Sequence, residues 1–225
     1  MRDPVFSALP GLARCRAEWA RPRHSSHSAR PPCQPACLSP EHLARLLARA
    51  AAPRSAERRD RAILLLLARL GLRASEVVAL ELDDLDWQAG QLRVRAGKCR
   101  RERVLPLPQE VGAALAEYLQ HGRPLYPGRR VFLTLTKPVQ AFSQPAAVSR
   151  IVQRNLMRAG VPLGRLTAAH MLRHTAASHM VNRGASFKDV ADVLGHRSLA
   201  TTGIYAKLDL DALAGVALPW IGGTQ

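Results

Sequence analysis

Apolar residues recur at helical spacing through most of the chain, and this pattern predicts a mainly helical fold. A Leu-Ser-Pro-Glu start at 38–41 predicts a first helix that runs to about residue 51, because Ser can cap free amides and Pro fits the first turn. Further helices are predicted at 56–70, 75–82, 108–120, 146–159, 167–184, 187–194 and 201–205, with Thr167 as a cap. Leu, Ala and Val should form most of the core.

Three shorter segments predict a small sheet. Gln91–Arg95 and Arg103–Leu107 alternate polar and apolar residues, and residues 96–102 between them are rich in Lys and Arg. This pattern indicates an antiparallel hairpin with a basic tip. Val131–Leu135 is predicted as the third strand. The expected fold class is therefore α+β and mainly α: a helical domain with a small antiparallel three-stranded sheet.

The chain divides into a tail and a domain. Residues 1–37 contain repeated prolines, clustered Ser and His and no sustained period, which is typical of a flexible basic tail. One folded domain is expected over 38–213, and a C-terminal tail over 214–225. Cysteines 15, 33 and 37 lie in the first segment with two histidines, but their spacing does not match that of zinc ligands. We expect no metal there.

Composition narrows the choice of partner. The 225 residues include 33 Lys and Arg against 17 Asp and Glu, a formal net charge of +16. Such an excess predicts a polyanionic partner, above all nucleic acid, although a genomic bias toward Arg codons would also produce it. The aromatic content of 4% argues against a protein that stacks single-stranded bases. No stretch has the length of a membrane span or a signal-peptide core, so we expect a soluble cytoplasmic protein.

Residues suited to phosphate chemistry occur in several separate segments. His170 and Arg173 lie three residues apart on a predicted helix and therefore share a face. The other segments are Gly71–Glu76 with Arg73 and Glu76, the hairpin tip with Lys98, Arg100 and Arg101, and Leu194–Tyr205 with His196 and Tyr205. His174 and His179 are interpreted as packing or capping partners within the helix.

A carboxylate cluster offers a different chemistry. Asp83, Asp84 and Asp86 could suggest a nuclease that uses two metal ions. A cluster directly after a helix is more typical of a solvated turn, and this is the interpretation that we adopt.

The ordered set Arg, Lys, His-x-x-Arg, His and Tyr resembles the catalytic domain of the tyrosine recombinases, the phage-integrase family of site-specific recombinases. The likeness runs from about Leu38 to about Leu213 and is strongest in Gly71–Glu76, His170–Thr175 and Leu194–Tyr205. The resemblance implies an enzyme that cleaves and rejoins double-stranded DNA through a covalent 3′-phosphotyrosine, with no cofactor and no metal.

The resemblance also implies a role for each residue. Tyr205 would be the nucleophile, Arg73 and Arg173 would bind the scissile phosphate, and Lys98 would protonate the departing oxygen. The imidazoles of His170 and His196 would bind the phosphate or shuttle protons. Glu76 would orient its neighbours, and Arg100 and Arg101 would contact DNA. These roles agree with general chemistry, because fixed guanidinium forks can stabilise charge on phosphate oxygens and a phenol needs activation.

This sequence departs from the family pattern at Cys99, where a glycine is common, and in the segment before the catalytic domain. Members of the family usually carry a helical core-binding domain before the catalytic one, and residues 1–37 cannot form such a domain. The alternatives are a truncated, inactive DNA-binding remnant, or a relaxing enzyme similar to type IB topoisomerases. An active form is expected to be a homotetramer on DNA or to use an accessory recombinase subunit, and the segment 209–225 is the candidate for exchange between protomers.

Overall fold

The computed structural model describes residues 37–50, 54–97, 102–161 and 167–195. The helices are α1 Pro40–Arg49, α2 Ser55–Arg69, α3 Ala74–Ala79, α4 Gln109–His121, α5 Pro145–Arg158, α6 Ala168–Asn182 and α7 Phe187–Leu194. The strands are β1 Leu85–Asp86, β2 Gln91–Val94 and β3 Arg103–Pro106. The predicted helices within the described ranges are confirmed to within a few residues. The helix predicted at 201–205 lies outside them.

Helix α2 forms the centre of the fold. Its residues Ala62–Ala68 are all at most 1% exposed, so this part of the helix is apolar and buried around its whole circumference. A helix of this kind requires neighbours on every side. Helices α4, α5 and α6 supply them, and α1 and α3 pack at its margins. Arg69 ends α2 beside the segment that leads into α3, so the central helix fixes the position of Gly71–Glu76.

The small sheet has the order β1-β2-β3 and is antiparallel throughout. Leu92 of β2 pairs with Leu85 on one side and with Leu105 on the other. All three side chains are buried, which anchors one face of the hairpin on the core. The predicted hairpin is therefore confirmed, and β3 brings Arg103 opposite Val94.

The third strand was predicted in the wrong place. Within Val131–Leu135 the structure has one isolated bridge, Leu133 with Ala141, and a second bridge joins the preceding residue, Arg130, to Glu81. Val131, Phe132 and Leu133 are buried in the core outside any regular strand, so the apolar run at these positions reflects burial and not strand pairing. The two residues of β1 complete the sheet instead, and a pair this short leaves no alternating pattern.

Two local predictions also need correction. The Ser39 hydroxyl accepts the amide hydrogen of His42 at 3.2 Å as expected, but the exposed Thr167 makes no capping hydrogen bond at the start of α6. Asp84 does not lie in a solvated turn: it is 3% exposed and accepts from Arg95 Nε at 2.7 Å. Asp84 Oδ2 also accepts the backbone N–H of Glu81 at 2.9 Å, and the Arg95 guanidinium compensates the charge of the carboxylate.

In the described part of the chain, no helix is both long enough and apolar enough to cross a bilayer.

Candidate active site

The turn between α2 and α3 places Arg73 and Glu76 side by side. Gly71 has a φ of +61°, a backbone conformation that glycine adopts without strain, and it redirects the chain after α2. Arg73 then precedes the first residue of α3, and Glu76 Oε2 accepts its backbone N–H at 2.9 Å. This capping contact is local, which explains why a short sequence motif encodes it.

The Arg73 side chain reaches the end of α7. Its Nη1 donates to Glu76 Oε1 at 3.2 Å and to the carbonyl of Leu194 at 3.1 Å, and Nη2 lies 3.3 Å from the carbonyl of Gly195. The last carbonyls of a helix lack partners within the helix and carry partial negative charge. A guanidinium at this position is therefore favourable, and it fixes the point at which the chain continues toward His196.

Arg173 arrives at the same carbonyl from α6. Its Nη2 donates to Leu194 O at 2.6 Å and its Nη1 donates to the carbonyl of Gly71. The residue is only 3% exposed, so these bonds are made in a largely desolvated environment. Arg73 and Arg173 are far apart in sequence, yet both guanidinium groups meet at one peptide oxygen. The structure thus brings together two of the residues that the motifs singled out.

The imidazole of His170 lies on the same helix as Arg173 and is exposed. Partial desolvation lowers the pKa of His170, and the positive charges of Arg173 and Arg73 lower it further. A neutral imidazole has one donor and one acceptor nitrogen, so it can both bind a phosphate oxygen and accept a proton. His170 is therefore suited to the role that the sequence suggested.

His174 packs one helical turn after His170. The two rings meet edge to face with centroids 4.4 Å apart. Burial, the neighbouring His170 and Arg173 together lower the pKa of His174 to about 4. His174 is buried at 9% exposure, which agrees with the packing role predicted for it.

Arg103 is a site residue that the sequence analysis missed. Its Nη1 and Nη2 donate to both oxygens of Glu76 at 3.1 and 3.0 Å, and its Nε donates to Val193 O at 2.8 Å. One signal could have revealed it: Arg103 lies two residues before the buried Leu105 and therefore points to the inner face of the strand. Burial raises the pKa of Glu76, but the hydrogen bonds and charges of Arg103 and Arg73 hold that pKa below its usual value.

The other predicted residues lie outside the described residues, namely Lys98, Arg100, Arg101, His196 and Tyr205. The described chain reaches Gly97 and resumes at Glu102, and it ends at Gly195, directly before His196. Of the possible zinc ligands, only Cys37 is described, and its Sγ lies 3.1 Å from Ser178 Oγ. The described residues contain no group of three or more His, Cys, Asp or Glu placed to hold a metal ion.

Comparison with known proteins identifies the family and the fold. Residues 37–211 match the phage integrase family. The chain belongs to this family. It is 52% identical over 167 residues to a Sinorhizobium fredii protein named as integrase/recombinase y4rA. The aligned residues make up 74% of this chain and 40% of that protein. It is 34% identical to a second protein of that organism, y4gC, over 85% of this chain and 98% of that protein.

Solved structures of phage-integrase relatives share the architecture. XerA recombinase superposes with a TM-score of 0.70 and 28% identity, over 85% of this chain and 66% of that chain. XerH site-specific recombinase bound to a palindromic difH substrate gives a TM-score of 0.68 and 26% identity, over 84% and 54%. The predicted fold class, mainly helical with a small three-stranded antiparallel sheet, is confirmed by these relatives. The chain spans about two fifths of the length of the first two curated relatives, at 40% and 39%.

Proposed function

We propose that this protein is a site-specific tyrosine recombinase that cleaves and rejoins DNA strands through a covalent 3′-phosphotyrosine at Tyr205. One observation carries the proposal: the guanidinium groups of Arg73 and Arg173 converge on Leu194 O, at the point where the chain continues to His196. Membership of the phage integrase family gives the same reading.

The two guanidinium groups supply the electrostatics that the reaction needs. Attack on a phosphodiester builds negative charge on the non-bridging oxygens, and fixed donors stabilise that charge as it develops. Arg remains protonated at any working pH and presents paired donors in a plane, so a pair of Arg forks can do what a metal ion does in other enzymes. Arg73 and Arg173 are held by helix-end carbonyls and are therefore preorganised.

The transfer of the phosphate and of the protons uses Tyr205, Lys98 and one of the two imidazoles, His170 or His196. The Tyr205 oxygen attacks phosphorus and loses its proton to a neighbouring imidazole, His170 or His196. The bond to the 5′-oxygen breaks, and that oxygen takes a proton from Lys98 at the hairpin tip. The phosphotyrosine retains the energy of the broken phosphodiester, so a second DNA 5′-hydroxyl can reverse the step without ATP.

Duplex DNA is the proposed substrate because the chain is strongly cationic and its relatives act on DNA. The net charge of +16 favours a polyanion, and XerH was solved on its difH substrate. We propose that Arg100 and Arg101 contact DNA beside Lys98. Assembly on two DNA sites, as a homotetramer or with an accessory recombinase subunit, would bring four tyrosines together, with the segment 209–225 exchanged between protomers. Such a protein acts in the cytoplasm.

The deciding experiment is incubation with a nicked suicide DNA substrate, followed by denaturing electrophoresis. Wild-type protein should give a shifted covalent band, also in the presence of EDTA. Tyr205→Phe should abolish the band and leave the DNA dissociation constant within about threefold, because only the nucleophilic oxygen is lost. Tyr126→Phe is the matched control and should keep the band.

Each outcome separates the alternatives. DNA binding with no band from wild-type protein would identify an inactive remnant. Relaxation of plasmid without recombined junctions would identify an enzyme similar to type IB topoisomerases. An adduct that survives in Tyr205→Phe would place the nucleophile elsewhere, and a strict requirement for Mg²⁺ would overturn the metal-free mechanism.

A further inference from the structure

Arg103 contacts two parts of the site at once and has no role in the chemistry proposed above. Its guanidinium holds both oxygens of Glu76, and its Nε holds Val193 O, in the last turn of α7. Only 11% of the side chain is exposed. A buried guanidinium with three directed bonds of 2.8 to 3.1 Å has little freedom to move, so it acts as a rigid connection between β3, α3 and α7.

Glu76 also bonds to Arg73 and thereby links Arg103 to Arg73. The same carboxylate accepts the Arg73 backbone N–H at 2.9 Å and Arg73 Nη1 at 3.2 Å. Its side chain is 8% exposed, and the carboxylate is ionised. Paired with Arg73 alone, Glu76 would cancel the charge that attracts a phosphate. With Arg103 present, the three groups carry one net positive charge.

The backbone that leads to His196 passes directly over Arg103. Gly195 ends α7 with a φ of +61°. A Cβ at this position would lie 2.9 Å from Arg103 Nη1 and 3.2 Å from its Cζ, closer than side chains pack. Glycine is thus favoured both by the left-handed conformation and by the guanidinium beneath it, which is held by its bonds to Glu76 and Val193 O. Arg103 is also the first residue of β3, so it directly follows the hairpin tip that contains Lys98 in the sequence.

We propose that Arg103 is a positioning residue for the strand-cleavage reaction. It compensates the charge of Glu76, so that Arg73 presents its full positive charge to the scissile phosphate, and it holds the hairpin against the end of α7. Arg103 itself contacts no reacting atom. This inference rests on the proposed function.

The first test is Arg103→Gln, with Arg58→Gln as the matched control. Arg58, in the first turn of α2, also bonds to a carboxylate and to a helix-end carbonyl. Its Nε donates to Glu117 Oε1 at 3.0 Å, and its Nη1 donates to the carbonyl of His121, the last residue of α4, at 3.2 Å. Single-turnover adduct formation is measured at saturating suicide DNA. We expect Arg103→Gln to be slower by about 100-fold and Arg58→Gln by less than about threefold, with DNA affinity unchanged in both.

A second substrate separates positioning from general damage to the fold. In this substrate a methyl group replaces one non-bridging oxygen of the scissile phosphate and removes its negative charge. If Arg103 acts through the charge of Arg73, the ratio of wild-type to Arg103→Gln rates should fall to less than about tenfold. Partial unfolding would lower the adduct yield equally on both substrates. An equal ratio on both would therefore overturn the inference.

A double variant tests the charge compensation directly. Replacing both Glu76 and Arg103 by Gln removes the carboxylate together with the group that balances it. Adduct formation should then be at least about tenfold faster than in Arg103→Gln, because Arg73 is no longer neutralised. A double variant as slow as Arg103→Gln would contradict this role.

Failure of the proposed function would be distinguishable. Absence of a covalent band from wild-type protein would count against the recombinase proposal. The charge compensation by Arg103 would then be tested in the protein without DNA. The pKa of His170, measured by NMR, is then the readout. It should rise in Arg103→Gln, since the unbalanced Glu76 carboxylate cancels the field of Arg73, and an unchanged value would overturn the inference.

Discussion

Two kinds of buried basic group stand next to each other on α6. Arg173 is charged and is 3% exposed, whereas His174 is kept neutral at 9% exposure. The difference follows from their chemistry, because a guanidinium cannot lose its proton and must find acceptors, while an imidazole can simply deprotonate. Arg173 finds Gly71 O and Leu194 O, so this residue stabilises the fold and shapes the site at the same time.

Arg173→Lys should therefore damage both stability and activity. An ammonium group cannot span the two carbonyls as a fork does, so Gly71 O or Leu194 O would lose its hydrogen bond from residue 173. We expect a loss of about 1–3 kcal/mol in the free energy of unfolding and a loss of at least about 100-fold in adduct formation. Urea denaturation and the suicide-substrate assay measure the two effects. Turnover close to wild type would contradict the proposed phosphate contact.

The stability of the protein should fall in mild acid because of His174. Its pKa is lowered from 6.5 to about 4 in the folded protein, so the unfolded chain takes up the proton first as the pH falls. The stabilisation is complete above pH 6.5 and is lost between pH 6.5 and 4. We expect the loss to be roughly 1–2 kcal/mol after solvent screening.

Urea denaturation at several pH values measures this effect. His174→Gln should remove that part of the pH dependence, whatever it does to the absolute stability. An equally steep decline in the variant would show that other groups cause it.

At the scale of elements, the end of α7 organises the site. Arg73, Arg103 and Arg173 bind the carbonyls of Val193, Leu194 and Gly195, and three guanidinium groups thus replace the partners that a helix end lacks. The apolar side of the same helix end is equally constrained, because Leu194 packs against Gly71.

Gly71→Ala should cost more than an ordinary glycine substitution. A Cβ on Gly71 would overlap Leu194 Cδ2, whereas Gly90, with an equivalent φ of +62°, has nothing within 4 Å of such an atom. Backbone strain should cost about 1 kcal/mol in both variants, and the overlap should add about 1–3 kcal/mol to Gly71→Ala alone. Urea denaturation compares them. Equal losses in the free energy of unfolding would show that α7 moves away from the added methyl group at no energetic cost, and would contradict this prediction.

The sequence predicted elements best where the signal is local. Helices α2, α5 and α7 follow from spacing and boundary residues, and the hairpin follows from alternation. The strand expected at Val131–Leu135 failed because burial of those residues comes from distant contacts such as Val131 N–H to Leu80 O at 3.0 Å. Alternating or apolar runs report burial, and only the tertiary structure shows whether a neighbouring strand is present.

At the scale of the whole molecule, the chain carries a large excess of positive charge. The net charge of the chain is +16. Among the described residues the buried cations are Arg59 and Arg173, so most of the described Lys and Arg side chains are partly or fully exposed. Like charges repel one another, and a polyanion relieves that repulsion while it releases its own counterions.

DNA affinity should accordingly depend steeply on salt. Each phosphate contact contributes about 0.9 to the slope of log affinity against log salt. Replacing Arg100 and Arg101 together by Gln should lower that slope by about 2, uniformly across DNA sequences. Fluorescence anisotropy on duplexes at several salt concentrations measures it. An unchanged slope would remove these two residues from the DNA interface.

The sequence by itself determined the order of the helices, the hairpin, the capping pair Arg73 and Glu76 and the shared face of His170 and Arg173, because each depends on residues close together in the chain. The tertiary structure alone decided that Arg73, Arg103 and Arg173 meet at the end of α7, and that β1 rather than Val131–Leu135 completes the sheet. Those contacts join positions far apart in sequence. Their geometry depends on how the helices pack around α2, and a pattern of neighbouring residues in the sequence does not contain that information.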